Sequence, residues 1–541
     1  MFMDLKSYPE VKRARKLDMK DVGRIAVSLV FILGIMIYTS INSSGLEHNT
    51  LLIVAAIFGG YMAMNIGAND VANNVGPAVG SGALTLFSAI LVAAVFEAMG
   101  ALIAGGDVVG TIKKGIIDPS LIADTQTFIW IMMAALLAGA IWLNLATAMG
   151  APVSTTHSIV GGVMGAGIAA AGFSIVSWGT MGKIVASWII SPVLGGVIAA
   201  SFLYAIKKTI IFQEDKIEAA KKWIPIYISV MSWAFLTYLV LKGMKHLVKV
   251  HILPALGIGL VGAIIVYLVV KPLVLKQAVK LENSRASINK MFTIPLIFSA
   301  ALLSFAHGAN DVANAVGPLA GISDAIMSGS ISKKASIPLW VMMVGALGIS
   351  LGLALYGPKL IKKVGHEITE LDQARGFCVA LAAAITVIIA SWLGLPVSST
   401  HIAIGGIFGV GFLREYLMKI DKKKDRLMED FKEVHLDTEM EKLKEYERAL
   451  ESLGPLKKAD PFVVKTLMEK INQEKNIIAK IVDGEIKLTK IEKKALKAVK
   501  KYELVKRSAL KMIVAAWVIT VPAAAILAAM FFFMIRGILL P

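Results

Sequence analysis

The chain has 541 residues, of which 56% are hydrophobic and 17% charged, and this excludes a soluble protein because so few charges cannot cover the surface of a domain of this size. Its mean hydropathy of +0.71 indicates a protein that crosses a membrane many times. The net charge of +18 suggests a polyanionic partner, but Lys and Arg are confined to segments between apolar runs. Such a distribution reflects membrane topology and argues against nucleic-acid binding.

Apolar runs of about 20 residues predict membrane-spanning helices, because only helices satisfy the backbone polar groups of such a run within lipid. They lie at residues 23–43, 51–73, 83–105, 128–149, 152–172, 182–206, 224–243, 251–271, 292–312, 338–357, 375–394, 396–416 and 510–535. The single cysteine, Cys378, excludes an intrachain disulfide and is expected to be a packing residue.

The basic segments predict which loops face the cytoplasm. They are residues 1–24, 207–222, 271–290, 359–375 and 419–507. Cytoplasmic loops are enriched in Lys and Arg, so all five are expected on one side. This requires residues 128–172 and 375–416 to form re-entrant helical hairpins, giving about nine crossings and two hairpins. One connection, residues 242–249, contradicts the rule, since it places three lysines outside.

Two sequence elements occur twice, in the same order. The phrase Gly67–Asn73 recurs as Gly308–Asn314, and Ala151–His157 recurs as Leu395–His401 with serine in place of one threonine. An odd number of predicted crossings separates the two copies of the phrase, so the copies run in opposite senses. Inverted repeats of this kind are typical of secondary transporters, with the substrate site at the interface of the repeats.

The repeated phrase predicts a cation site. Asn69, Asp70 and Asn73 share one face of a helix, and a carboxylate at membrane depth is costly unless it has a functional partner. The second copy supplies Asn310, Asp311 and Asn314. Carboxylate and amide oxygens suit a small alkali cation, and two copies predict two such sites. We also expect Gly76-Pro77 and Gly317-Pro318 to break the helices and free backbone carbonyls.

The second element predicts an anion site. It places six hydroxyl side chains at two predicted helix N-termini: Ser154, Thr155, Thr156, Ser398, Ser399 and Thr400. The free N–H groups and the dipole of a helix N-terminus favour an anion. Isolated hydroxyls in membrane helices often bond back to a carbonyl one turn earlier. Six hydroxyls at two matched positions favour binding over that alternative.

Three further kinds of intramembrane polar residue have open roles. Glu97 has an apolar counterpart in the second half and is either a third cation ligand or a structural hydrogen-bonding group. His157 and His401 follow the hydroxyl rows, where a proton relay competes with a cap or an interhelical hydrogen bond. His307 corresponds to Ile66 and cannot belong to a symmetric mechanism.

Aspartates beside an anion site indicate symport, because they would repel the anion unless cations entered with it. An intramembrane serine hydrolase would need one active site instead of two, and neither Ser154 nor Ser398 lies in a Gly-x-Ser-x-Gly nucleophile phrase. An anion channel is the other alternative, but it would need no paired aspartates.

The doubled phrase and the two Pro-Val-Ser-(Thr/Ser)-Thr-His segments resemble those of the inorganic phosphate transporter (PiT) family over roughly residues 50–417. The resemblance implies cation-coupled import of inorganic phosphate across the cell membrane by a multi-pass carrier, not an enzyme. It implies phosphate binding by the Ser-Thr segments with Asn73 and Asn314. It implies sodium binding by Asn69, Asp70, Asn310 and Asp311. Proton coupling and sulfate transport remain alternatives, because the family contains both. Sodium is the expected coupling ion, with no cofactor, and a homodimer in the lipid bilayer is an open possibility.

These observations predict an all-helical membrane protein with six regions. In chain order they are a basic segment with the first helix (1–50), a first repeat (51–206), linking helices and basic loops (207–290), a second repeat (291–417), a small cytoplasmic helical domain (418–509) and a last membrane helix (510–541). Animal members of the family carry their large cytoplasmic loop between the halves, whereas here the polar segment follows the second half.

Overall fold

A computed structural model describes most of the chain as helices, and it contains no β-strand within the part that it describes. The described residues are 19–46, 48–149, 153–243, 250–331, 337–367, 371–418, 420–453, 460–482, 488–490, 492–493 and 507–539. The predicted all-helical architecture is therefore confirmed. The sequence also predicts a turn at Gly454-Pro455 within the polar segment, and these two residues lie outside the described part of the chain.

The helices of the first half and of the linking region occupy residues up to 291. They are α1 (Met19–Asn42), α2 (Asn49–Asn69), α3 (Ala72–Gly80), α4 (Leu86–Ala104), α5 (Gly106–Lys114), α6 (Thr125–Ala148), α7 (Thr155–Ala171), α8 (Trp178–Ile206), α9 (Lys216–Gly243), α10 (Ile252–Ala278) and α11 (Arg285–Met291). The helices that follow are α12 (Thr293–Asp311), α13 (Ala313–Ser328), α14 (Leu339–Glu367), α15 (Gln373–Trp392), α16 (Ser399–Met418), α17 (Ile420–Ser452), α18 (Pro461–Val482) and α19 (Arg507–Leu539).

Eleven segments of the described chain are long and apolar enough to cross a membrane. Nine of them match the predicted crossings, and the other two, α6 and α15, are the first helices of the two predicted hairpins. Helix α7 follows α6 and packs against it, as a hairpin requires. The re-entrant course of the hairpins and the inverted sense of the repeats stay predictions.

The repeated phrases interrupt their helices, but not where the prolines predicted. Helix α2 ends at Asn69 and α3 begins at Ala72, while α12 ends at Asp311 and α13 begins at Ala313. Pro77 and Pro318 lie inside the helices that follow, so the predicted break at Gly76-Pro77 and Gly317-Pro318 is wrong.

The prolines still act on the backbone near the interruptions. Each lacks the N–H that an α-helix uses to bond the carbonyl four residues earlier, which here is that of Asn73 or Asn314. The interruption itself falls beside the aspartates, between α2 and α3 and between α12 and α13. This places Asp70 and Asp311 at helix ends.

Glycines let helices of the two halves approach one another closely. A Cβ added to Gly67 on α2 would lie 1.9 Å from the carbonyl oxygen of Ile349 on α14, and one added to Gly352 would lie 1.9 Å from that of Met64. Small residues are the usual means of close helix packing in membranes. The first-half phrase is thus held by a helix of the second half.

The same contact occurs with the halves exchanged. A Cβ added to Gly308 on α12 would lie 2.2 Å from the carbonyl oxygen of Glu97 on α4, and one added to Gly100 would lie 1.9 Å from that of Phe305. Gly67 and Gly308 occupy the same position of the phrase. Glu97 is therefore the packing counterpart of Ile349.

Two long helices cover the hairpins. Helix α19 packs on α6 and α7, and α8 packs on α15. A Cβ on Gly165 of α7 would lie 2.2 Å from the carbonyl oxygen of Ala525, and one on Gly409 of α16 would lie 2.1 Å from that of Gly196. The last helix of the chain is thus packed against the first hairpin.

The lysine connection that contradicts the topology prediction is partly neutralised. Lys242, at the end of α9, forms an ion pair with Asp107, at the start of α5. The connection that begins at Lys242 was expected outside, and the pair offsets one of its three lysine charges. Residues 244–249 lie outside the described chain.

Residues 411–505 form a separate compact unit. Its helices α17 and α18 pack against each other, and the ion pair between Lys475 and Glu447 (3.2 Å) joins them. Polar residues dominate the exposed faces of both helices, as the sequence predicts for a solvated domain.

Candidate functional site

The two interrupted helices bring the two aspartates together. Asp70 is 1% exposed and Asp311 is fully buried. One ligand atom from each, together with a ring nitrogen of His307, lies within 4.8 Å of the other two. The sequence predicts two separate cation sites, whereas the structure contains one cluster in which both carboxylates take part.

The hydroxyl rows of both hairpins reach these carboxylates. Thr155 of α7 donates to Oδ2 of Asp70 (2.7 Å), and its hydroxyl lies 3.4 Å from Oδ2 of Asp311. Thr400 of α16 donates to Oδ1 of Asp70 (2.8 Å), and Ser399 donates to Oδ2 of Asp311 (3.4 Å). The predicted cation and anion elements therefore form a single site.

Asn73 and Asn314 each connect their own helix to the hairpin of the other half. The amide nitrogen of Asn73 donates to the hydroxyl of Thr400 (2.9 Å). That of Asn314 donates to the hydroxyls of Thr155 (3.1 Å) and Thr156 (3.3 Å). These crossed contacts hold both hydroxyl rows against both phrases.

Three buried oxygens of the cluster have no hydrogen-bond partner. They are Oδ1 of Asp311, Oδ1 of Asn73 and Oδ1 of Asn314. Buried polar atoms of native proteins are nearly always satisfied, and an unsatisfied one often marks the place of an ion. All three are acceptors, and hard oxygen ligands of this kind suit an alkali or alkaline-earth cation.

Asn69 and Asn310, both predicted as sodium ligands, fasten the loops of the hairpins. The amide nitrogen of Asn69 donates to Thr147 (2.8 Å), and its oxygen accepts from the backbone N–H of Val153 (3.2 Å). Asn310 makes the matching contacts with Ser391 (2.9 Å) and with the N–H of Val397 (3.3 Å). Each side chain thus positions the hydroxyl row that follows its hairpin loop.

Ser154 and Ser398 precede the first turns of α7 and α16. The hydroxyl of Ser154 accepts from the N–H of His157 (3.1 Å), and that of Ser398 accepts from the N–H of His401 (3.3 Å). Such bonds are those of an N-cap. Thr156 donates across the hairpins to the carbonyl of Val397 (2.9 Å). The hydroxyl rows therefore mark the start of both helices, as the sequence predicts.

His157 also bonds to the cap. Its Nδ1 lies 2.6 Å from the hydroxyl of Ser154, and its ring stacks on Trp188 of α8 with centroids 3.7 Å apart. Trp188 donates to the carbonyl of Pro396 (3.1 Å). These contacts agree with the capping role expected for His157. No sequence pattern marks Trp188, because the residue lies on a helix outside both repeated elements.

Glu97 and His307 form an asymmetric extension of the cluster. Nδ1 of His307 lies 2.7 Å from Oε2 of Glu97, and Nε2 lies 3.0 Å from Oδ2 of Asp311 but outside hydrogen-bonding geometry. Asn74 donates to the other oxygen of Glu97 (2.7 Å). All three residues are buried. His307 thus lies next to the site. Its position directly before the second phrase is the sequence signal for this.

The buried cluster needs positive charge. Two unit charges 4.8 Å apart repel by about 3 kcal/mol even at an effective dielectric constant of about 20. Burial adds the cost of removing each carboxylate from water. Cations bound between the carboxylates would remove both penalties and would also shield an anion held at the helix N-termini. The fold and the buried charged site together define a multi-pass membrane transport protein.

Comparison with known proteins agrees with this class. The model of the phosphate transporter family (PHO4) matches residues 66–528. A protein of Helicobacter pylori strain J99 named "Putative phosphate permease" is 51% identical over 98% of both chains. A relative from Pyrococcus furiosus with a similar name is 41% identical over 67% of this chain and 88% of its own length.

A solved structure described as "The sodium-dependent phosphate transporter" has the same fold. It is 31% identical, with a TM-score of 0.72, and the match covers 91% of this chain and 100% of that one. The present chain belongs to the phosphate transporter family, and it is a multi-pass membrane protein and not an enzyme. The family resemblance seen in the sequence is confirmed.

Proposed function

We propose that this chain imports inorganic phosphate together with sodium ions by alternating access. The observation that carries the proposal is the interleaving of Asp70 and Asp311 with hydroxyls of both helix N-termini in one buried site. Acceptor oxygens for cations and donors for an oxyanion are within hydrogen-bonding distance of each other there. A site of this composition binds either ligand better when the other is present.

The residues of the site form two groups, one suited to binding a cation and one suited to binding an oxyanion. Asp70, Asp311 and the free amide oxygens of Asn73 and Asn314 would bind sodium. The hydroxyls of Thr155, Thr156, Ser399 and Thr400, the amide nitrogens of Asn73 and Asn314 and the N–H groups that begin α7 and α16 would bind phosphate. Thr155 and Thr400 now donate to Asp70. A cation on Asp70 would weaken those bonds and release the hydroxyls for the anion.

The membrane potential supports co-transport of at least two cations with each divalent phosphate. Moving one negative charge inward against about 100 mV costs about 2.3 kcal/mol. A divalent phosphate therefore needs at least two co-transported cations to cancel this cost. Two carboxylates in the cluster can hold that many. The solved relative is described as sodium-dependent, which also supports sodium as the cation.

Uptake by proteoliposomes tests the proposal. The purified chain would be reconstituted and given radiolabelled phosphate under an imposed sodium gradient, an imposed proton gradient, or neither. We expect uptake that requires sodium and is inhibited by arsenate more than by sulfate. Uptake driven by the proton gradient alone would instead assign coupling to protons and would point to the chain formed by Glu97, His307 and Asp311. Uptake without any gradient dependence would indicate a channel.

A further inference from the structure

A cavity of about 720 Å³ lies between α1, α2, α6 and α14, next to the site but apart from it. Its volume falls in the range of about 300–1,000 Å³ that is typical of small-ligand pockets. None of the residues that line it belongs to the predicted cation or phosphate ligands.

The inner end of the cavity reaches the residues beside the site. Ala68 and Thr147 line it there. Thr147 accepts the hydrogen bond from Asn69, whose neighbour in the chain is Asp70. The Asn69–Thr147 bond therefore stands between the cavity and the carboxylate cluster.

The lining of the cavity is mostly apolar, but several polar side chains are spaced along it. Arg24 and Ser28 of α1, Asn65 of α2, Asn144 of α6 and Tyr356 of α14 all line it. Ser28 and Tyr356 share a hydrogen bond (3.0 Å) that joins α1 to α14. Polar residues within membrane helices usually face the protein interior or a water-filled cavity. Asn144 is exposed in the structure although it lies in an apolar helix, which agrees with a wet cavity.

The outer end of the cavity lies on the side expected to be cytoplasmic. Asp21 and Arg24 belong to the start of α1, which follows the basic N-terminal segment. Leu360 lies at the start of the basic segment 359–375. Both segments are predicted to face the cytoplasm.

We propose that this cavity is the cytoplasmic vestibule through which phosphate and its cations leave the site, and this inference rests on the proposed import of phosphate. The guanidinium of Arg24 supplies positive charge at its mouth. Arg24 is bonded to Asp21 through Nη1 (2.8 Å), and a guanidinium has further N–H donors that can attract an oxyanion. Opening of the Asn69–Thr147 bond would connect vestibule and site.

Site-directed cysteine labelling tests the vestibule. The native thiol is removed by Cys378→Ala, and sodium-dependent phosphate uptake by this background is measured first. Asn65→Cys and Asn144→Cys then place thiols in the cavity. Val30→Cys is the control, because Val30 is 68% exposed and lies on the face of α1 away from the cavity lining. Inside-out vesicles are treated with a membrane-impermeant anionic methanethiosulfonate.

The vestibule predicts that the two cavity variants react at least about tenfold faster than Val30→Cys, because the reactive thiolate forms in water and is disfavoured in an apolar setting. Modification should block uptake, and sodium phosphate should slow the modification. Equal rates for all three variants, or reaction only with a lipophilic maleimide, would show a lipid-filled crevice and overturn the inference. Absence of sodium-dependent phosphate uptake by the unsubstituted chain would contradict the proposed function instead. The two cavity variants lie on different helices, so misfolding of one leaves the other as a test.

Discussion

His307 and Glu97 form a buried pair, 2.7 Å apart, that joins the two halves at one of the two matched helix contacts. The position of His307 corresponds to Ile66 in the first phrase, and that of Glu97 corresponds in packing to Ile349. Asn74, which donates to Glu97, corresponds to Ala315. Three matched apolar residues at the other contact show that the fold does not require this polar cluster. Its cost in buried polar groups therefore points to a role in transport.

Replacing each polar residue of this cluster by its apolar counterpart tests whether the cluster serves folding or transport. We expect the triple variant Asn74→Ala, Glu97→Ile, His307→Ile to fold with a stability within about 2 kcal/mol of the wild type, because well-packed apolar groups often replace a buried ion pair at little cost. Sodium-dependent phosphate uptake should fall to background. Thermal denaturation and proteoliposome uptake are the two measurements.

The single variant Glu97→Ile is the matched comparison. It leaves His307 without its carboxylate, and breaking a buried pair in this way costs about 3–5 kcal/mol. We therefore expect it to be less stable than the triple variant. Full uptake by the triple variant would show that the cluster has no role in transport.

The two aspartates should be needed for sodium and not for folding. Asp70→Asn and Asp311→Asn keep the size of the side chain and remove one charge of a repelling pair. We expect stability in sodium-free buffer to stay the same or rise. Sodium should raise the melting temperature of the wild type, since a ligand at about 100 times its dissociation constant adds about 2.7 kcal/mol. That increase should be lost in both variants.

Asp437→Asn is the control for this substitution. Asp437 is an exposed residue of α17 in the separate helical unit, so its variant should keep the response to sodium. Normal stabilisation by sodium in Asp70→Asn and Asp311→Asn would show that neither aspartate binds the cation.

The hydroxyl of Thr155 should be needed for phosphate affinity. Thr155→Val keeps the shape of the side chain and removes the group that contacts Asp70 and Asn314. A lost hydrogen bond to a charged group is worth about 1.5–3 kcal/mol, so we expect the phosphate concentration for half-maximal uptake to rise by at least about tenfold.

Thr386→Val provides the comparison for Thr155. Thr386 is equally buried on α15, but its hydroxyl bonds back to the carbonyl of Ala382 (2.8 Å). Its replacement should leave phosphate affinity unchanged. Equal effects of the two substitutions would indicate that Thr155 acts through packing alone.

Much of the fold could be predicted from hydrophobic runs and basic loops, because length and charge determine which segments enter a membrane. The positions of α8 and α19 could not. Both are apolar helices, and glycines mark their contacts: Gly161 and Gly165 on α7 face α19, while Gly405 and Gly409 on α16 face α8 near its own Gly195 and Gly196. The glycines of α7 and α16 were visible in the sequence as part of the repeats, and their four-residue spacing is the signal of a tightly packed helix.

The residue types of the site could also be predicted, but not their arrangement. The doubled phrases identify Asp70 and Asp311, and the hydroxyl rows identify Thr155 and Thr400. That Thr155 lies near both carboxylates depends on how four helices from two halves cross, which no local pattern encodes. The helix interruption was placed at the prolines because Pro is a strong breaker, yet Pro77 is accommodated inside α3.

The ion pair between Lys113 and Asp324 (3.0 Å) should stabilise the contact between the halves. It joins α5 to α13, and the side chains are only 6% and 13% exposed. Lys113→Met should lower stability by about 3 kcal/mol, because it leaves a buried carboxylate without its partner. The exposed pair of Lys221 and Glu218 on α9 is the control, and Lys221→Met should cost no more than about 1 kcal/mol. A similar cost at both positions would argue against a structural role for the buried pair.

Asp372 should make stability depend on pH through the start of α15. Burial raises the pKa of Asp372, but the hydrogen bonds and charge of Arg375 and the charge of Arg285 together lower it by more. The pKa of Asp372 therefore lies below its ordinary value. A carboxyl with a lowered folded-state pKa stabilises the fold above its unfolded pKa of about 4, and this contribution is lost as the pH falls through the folded pKa. We therefore expect Asp372→Asn, which keeps a capping side chain, to be less stable than the wild type at pH 7 and equally stable in acid. Thermal denaturation across this pH range measures the difference.

Arg285→Gln is the comparison for Asp372→Asn. It should have a smaller effect, because the guanidinium of Arg285 is 3.6 Å from the carboxylate and its side chain is 56% exposed. A pH-independent difference between Asp372→Asn and the wild type would contradict the proposed role of charge.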